Sequence, residues 1–111
     1  MSTPPPELQL VVEVTEDVTC IHITGELDFD TSPDLLGTAK RILAEHGRLR
    51  QLRLDCAGLS FCDTMGLSAL LTIRRETQIA GVALHVDNQS ASLRRLLYLS
   101  GTLEHFSGSA V

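Results

Sequence analysis

The residues best suited to chemistry lie in one stretch, Leu54-Asp55-Cys56-Ala57-Gly58-Leu59-Ser60-Phe61-Cys62-Asp63-Thr64-Met65-Gly66-Leu67. It reads as a strand end, a tight connection, and then an acid, a hydroxyl and a glycine at the mouth of a helix. Two roles suit Asp63-Thr64. Either residue can accept a hydrogen bond from a first-turn amide and cap the helix, as Asp and Thr commonly do there. Alternatively, the Thr64 hydroxyl stands exposed at the loop-to-helix junction and accepts a phosphate. The free amides and the positive end of the helix dipole tolerate an anion at that place. Such a modification changes surface charge without unfolding a domain.

Other chemistries lack the residues they need. His22, His46, His85 and His105 fall on a strand, a helix end, another strand and the tail, and none has metal-ligand spacing with a second His, Cys or carboxylate. No glycine-rich phosphate loop and no nucleophile elbow are present. No enzyme activity, metal or cofactor is therefore expected, and His22 and His85 read as strand-surface residues. The three cysteines, Cys20, Cys56 and Cys62, are odd in number and form no C-x-x-C pair. That argues against a disulfide scaffold or zinc site and suits free thiols in a reducing cytoplasm. Cys62 precedes a helix start, where a thiolate is favoured, but a packed, inert thiol is the expectation.

The elements that must position Thr64 follow from periodicity. Residues 8–14 alternate as a strand, 16–17 turn, and 18–24 form a second, β-branched strand, making an antiparallel hairpin. Gly25-Glu26-Leu27-Asp28-Phe29-Asp30 reads as a loop. Ser32-Pro33 marks a helix start, with Ser32 as N-cap. Leu35, Leu36, Ala39, Ile42 and Leu43 lie on one helical face, and Gly47 ends that helix. A third strand covers 51–55, a second helix 64–79 and a fourth strand 82–86. Ser90 caps a third helix that ends at Gly101, and 103–106 form a short fifth strand. The order is ββαβαβαβ, a mixed five-stranded α/β sheet. Strands three and four alternate rather than running continuously apolar, so helices cover mainly one face. Residues 1–7, with three successive prolines, read as a disordered tail, 8–106 as the domain and 107–111 as a frayed end.

Composition sets the outer limits. The 111 residues fit one domain, and 43% hydrophobic residues suffice for a small core. Aromatics are 4% with no tryptophan, so the core must be aliphatic and no aromatic surface for stacking is expected. A net charge of −5 argues against nucleic acid. Up to Leu36 there are eight acids and no Lys or Arg; from Gly37 onward there are nine basic residues and six acids. Such polarity suits a protein partner. The opening Met-Ser-Thr-Pro-Pro-Pro is neither basic nor apolar, so no signal peptide is expected, and no apolar run approaches the ~18 residues of a membrane span.

Gly25-Glu26-Leu27-Asp28, followed in the second half of the chain by Asp63-Thr64-Met65-Gly66-Leu67 after a strand ending in Leu54-Asp55, resembles the STAS domain, and within it the bacterial anti-sigma factor antagonists. Leu93-Arg94-Arg95-Leu96-Leu97-Tyr98-Leu99-Ser100-Gly101 is similar to that family's third helix. The likeness covers roughly residues 8–106. It implies a mixed sheet with helices on one side. It also implies a protein that, unphosphorylated, binds an anti-sigma factor that is itself a serine/threonine kinase and so frees a sigma factor. Phosphorylation ends the interaction and a phosphatase restores it. By position, Thr64 would be the phosphoacceptor. Asp63, Met65, Gly66, Leu67 and, on the neighbouring loop, Asp28 would make the partner surface, with Gly66 letting the partner approach closely.

There are departures from the family pattern. Met65 replaces the usual second hydroxyl, threonine stands where serine is more usual, and the family's fourth helix must be short or absent. Its loss would leave apolar surface for a partner or a homodimer. A second reading keeps the fold without the switch, as a scaffold or accessory subunit of a signalling or transport complex. A third, a nucleotide or catalytic pocket around Asp28, Asp63 and Thr64, lacks any phosphate cradle.

Overall fold

The computed structural model describes residues 7–107. The tails expected over 1–7 and 107–111 lie, but for their innermost residues, outside that range. Two strands open the fold, β1 (Leu8–Val14) and β2 (Val18–Leu27). The turn between them closes with Thr15 N–H donating to the Val18 carbonyl at 2.9 Å, and the strands pair antiparallel. Then come α1 (Ser32–Glu45), β3 (Gln51–Cys62), α2 (Thr64–Ala80), β4 (Ala83–Asp87), α3 (Ala91–Leu99) and α4 (Leu103–Ser107). Helical crossovers bring β3 parallel to β2 and β4 parallel to β3, so the mixed sheet runs β1-β2-β3-β4. No helix among the described residues is long and apolar enough to cross a membrane.

The two faces of the sheet differ, as the alternation requires. On one, Ile21 and Ile23 of β2, Leu52, Leu54 and Cys56 of β3 and Val86 of β4 are buried. The same core takes Leu35 and Ile42 from α1, Leu70 and Ile73 from α2, and Leu93 and Leu97 from α3. Each fully buried aliphatic side chain contributes roughly 1.5–3 kcal/mol. On the other face Cys20, His22, Arg53, Asp55, His85 and Asp87 are only half-buried.

Polar cross-strand pairs hold that second face. His22 Nδ1 lies 2.8 Å from Asp55 Oδ2 and its Nε2 3.3 Å from Glu13 Oε1, joining β1, β2 and β3. Asn88 Nδ2 donates to Asp55 Oδ1 at 2.8 Å. Arg53 donates through Nε and Nη2 to both carboxylate oxygens of Asp87, at 2.8 and 3.0 Å, joining β3 to β4. His22, read from the sequence as a strand-surface residue, is thus also a cross-strand link. The Asp55 and Glu13 carboxylates raise its pKa above the ordinary value. Asn88, the Ala57 amide and His22 lower that of Asp55.

Three expectations need correction. No fifth strand forms: residues 103–106 belong to α4. Gly101, at φ +76°, turns the chain, and Thr102 N–H donates back to the Leu97 carbonyl at 2.8 Å. A helical turn puts Leu103 and Phe106 on one side, with Phe106 buried. A strand would have sent Phe106 inward together with Glu104. Second, β3 does not stop at Asp55, and β2 continues through the supposed loop to Leu27. Gly58 permits this, because a Cβ there would sit 2.7 Å from Thr24 Oγ1 and 3.1 Å from the Ile23 carbonyl. Third, the N-cap of α1 is Thr31, not Ser32, which lies buried inside the first turn.

The shifted pKa values give a pH signature. The His22 link is fully present below the ordinary imidazole value of about 6.5 and is lost as pH rises through the raised one. That of Asp55 is present above about 3.9 and lost as pH falls through the lowered value. Thermal unfolding of His22→Ala should therefore show its largest deficit against wild type between about pH 4 and pH 6.5, narrowing as pH rises through the raised His22 value. An equal deficit at every pH would rule out a charged His22 link.

Candidate functional site

The site forms where β2 and β3 end together and α2 begins. Leu27 pairs with Cys62 in the last rung. Asp63 N–H then donates to the Leu27 carbonyl at 3.1 Å. Asp63 itself is the N-cap of α2: its backbone is extended and its Oδ1 accepts from Gly66 N–H at 2.8 Å. The cap role therefore falls to Asp63 and leaves the Thr64 hydroxyl at the first helical position. Thr64 is exposed, as is Met65 beside it.

Gly66 and Leu67 face the other way and are buried. A Cβ on Gly66 would sit 2.5 Å from the Leu27 carbonyl oxygen and 2.9 Å from Cys62 Sγ. The glycine lets α2 approach the end of β2, an intramolecular need rather than room for a partner. Leu67 enters the core. A partner would meet these two residues only through the loop they hold in place.

Asp28 follows Leu27 directly, which sets it near Asp63. Its Oδ1 accepts from the amides of Asp30 at 3.0 Å and Thr31 at 3.1 Å, and its carbonyl accepts from Ser32 N–H at 2.8 Å. Asp28 thus closes the turn that leads into α1 while keeping a fixed negative charge at the site. Glu7 and Asp30 add to it: among the described residues, ligand oxygens of Glu7, Asp28 and Asp30 lie within 4.8 Å of one another. Carboxylates of this kind suit hard cations, but one Asp28 oxygen is already committed to backbone amides.

Sequence reasoning missed two aromatic side chains. Phe29 is 68% exposed and Phe61 51% exposed, with Met65 at 44%. Phe61 immediately precedes the Cys62–Leu27 rung, and Phe29 lies two residues past it. Of the four aromatic residues in the chain, these two are exposed near this end of the sheet. The one available signal was their position, Phe29 next to Asp28 and Phe61 two residues before Asp63. A groove of about 260 Å³, lined by Ser60, Phe61, Ser90, Ser92 and Leu93 among others, runs from the end of β3 to the start of α3.

The cysteines here are structural. Burial, with the Asp63 charge adding to it, pushes the Cys62 thiol up to about 11. Burial likewise pushes Cys56 up to about 12. The helix terminus does not make Cys62 a thiolate, because desolvation outweighs it.

With this geometry in hand, comparisons with known proteins become informative. Residues 9–110 match the family model described as the STAS domain. An anti-sigma factor antagonist from Mycobacterium paratuberculosis superposes with a TM-score of 0.77 at 23% identity, over 95% of this chain and 87% of that one. The Bacillus cell fate determinant SpoIIAA, in its phosphorylated form, gives 0.68 at 24%, over 86% and 84%. The murine Solute Carrier 26 family member A9 anion transporter gives 0.73 at 22%, over 87% of this chain and 16% of that one. At these identities the likeness is one of fold.

The contact at Gly66 makes an unusual prediction. Gly→Ala within a helix ordinarily stabilises by about 0.5–1 kcal/mol. Gly66→Ala should instead lose roughly 1–3 kcal/mol in urea unfolding, the cost of overpacking against a backbone carbonyl. A stabilised variant would mean that α2 does not rest on Leu27.

Proposed function

This chain belongs to the STAS domain family, and we propose that within it the protein is an anti-sigma factor antagonist switched at Thr64. The observation that carries this reading is the Thr64 hydroxyl: it is exposed at the first position of α2, while Asp63 does the capping. The ends of β2 and β3 and the start of α2 also carry exposed Phe29, Phe61 and Met65 and the acids Asp28 and Asp63. Structural relatives that include anti-sigma factor antagonists, one of them solved phosphorylated, support it.

In this reading the unphosphorylated protein, working in the cytoplasm, presents Phe29, Phe61 and Met65 to a kinase-type anti-sigma factor. Binding buries these side chains and releases the sigma factor. The kinase then transfers a phosphoryl group to Thr64 Oγ1. The product carries about −1.5 to −2 charges and is held near the first-turn amides of α2. The partner must now accept that charge beside Asp28 and Asp63, in a contact fitted to an uncharged hydroxyl. Each ~1.4 kcal/mol of added cost weakens binding tenfold, so a few kcal/mol separate the complex. A phosphatase resets the switch. Met65 leaves a single hydroxyl at the motif, so Thr64 alone carries it.

A second reading also has support. The anion transporter relative carries this fold as a small part of a longer chain, which suits a scaffold or accessory domain that is never phosphorylated. Kinase treatment separates the two. Incubation with the cognate kinase and ATP should add one phosphate, seen by mass, to wild type and none to Thr64→Ala. Thr64→Ala should retain the partner in a pull-down, and Thr64→Glu should weaken it at least tenfold. Full phosphorylation of Thr64→Ala would remove Thr64 as the acceptor, and no phosphate on wild type would favour the scaffold.

A further inference from the structure

We propose that β1 is a self-association edge, and that two copies of this chain pair their β1 strands antiparallel into one continuous eight-stranded sheet. The inference starts from which backbone groups of β1 are already used. The Glu7 carbonyl accepts from Glu26 N–H at 2.8 Å at one end of the ladder, and Thr15 N–H donates to the Val18 carbonyl at the other. With the register Leu8↔Gly25 to Val14↔Thr19, the odd-numbered residues of β1 exchange hydrogen bonds with β2. The N–H and C=O groups of Leu8, Leu10, Val12 and Val14 therefore point away from β2. β1 is the outermost strand of the sheet, so among the described residues no strand pairs with that side.

Soluble proteins usually blunt such an edge with lysine, proline or a bulge. β1 has none of these: its sequence is Leu-Gln-Leu-Val-Val-Glu-Val, and its register with β2 is unbroken. Val11, Val12 and Val14 are 52%, 41% and 52% exposed. The other edge differs, since α4 packs beside β4.

The occupant that fits is a second copy. A two-fold axis through Val11 gives full overlap of the strand. In that register Leu8 lies opposite Val14 of the second copy and Leu10 opposite Val12. Both partners in these pairs carry free outward N–H and C=O groups, so all four outward residues of each strand are satisfied. The side chains agree. Leu10 and Leu8 cover the exposed Val12 and Val14 on the helix-covered side. On the other side Val11 meets Val11, and Gln9 meets Glu13, the only charged residue in the strand. No like charges face each other directly. Antiparallel pairing also sends the two Thr64 sites to opposite ends of the sheet, leaving both free.

One strand pair is a small interface, and each copy brings a net charge of −5. The dimer is accordingly weak and strengthened by salt. Sedimentation velocity between about 10 µM and about 1 mM, the range for an interface at the small end of the size scale, should show concentration-dependent dimer that increases with salt. Val11→Lys sets two ammonium groups against each other at the axis and should weaken the dimer at least tenfold without changing the circular dichroism spectrum. Gln9→Lys places an ammonium opposite Glu13 of the second copy and should tighten it several-fold. A chain that stays monomeric throughout, or a dimer indifferent to both substitutions, overturns the proposal.

Discussion

The site depends on one close approach, that of the α2 backbone at Gly66 to the carbonyl of Leu27. Around it the last rung of the β2–β3 ladder, the N-cap of α2 and the turn into α1 are all fixed within a few residues. Any side chain at Gly66 would push the helix mouth off the end of the sheet. Thr64, at the first position of that helix, would move with it. The exposed site is thus held by a buried contact that has no chemistry of its own.

Around that contact the molecule divides its work by sheet face. The helix-covered side supplies stability through aliphatic burial. The wet side is bound by charges: Glu13 to His22, His22 to Asp55, and Arg53 to Asp87. Exposed pairs of this kind are individually weak. Here they run across neighbouring strands in fixed register, and Asn88 also engages Asp55. The end that carries Thr64 uses neither device. It exposes apolar side chains, which a stable domain has no need to expose, beside carboxylates already fixed by backbone amides.

Much of this was legible in residue types. Alternation in residues 8–14, 18–24 and 51–55 marked three strands because side chains switch faces at every step. Ser90 and Gly101 marked the ends of α3 because capping is local chemistry. The failures are equally physical. Gly25 and Gly58 look like loop residues, since strands avoid glycine, yet here they let two strands stay paired. Leu103-Glu104-His105-Phe106 suits either period over so short a span. Only its packing decides, by burying Phe106 while leaving Glu104 exposed.

The sequence by itself determined the element order as far as α3, the one-faced core, the single hydroxyl of the motif and the family, because each rests on local periodicity or on residues adjacent in the chain. Tertiary structure alone decided which of Asp63 and Thr64 caps the helix, since that turns on where the Gly66 amide points. It decided why Gly66 must be glycine, since the atom it accommodates belongs to Leu27, far away in sequence. It also decided that Phe29 and Phe61 lie outside rather than in the core, and that the even-numbered residues of β1 face outward. Burial and hydrogen-bond phase depend on what the rest of the chain brings alongside, which the order of residues does not state.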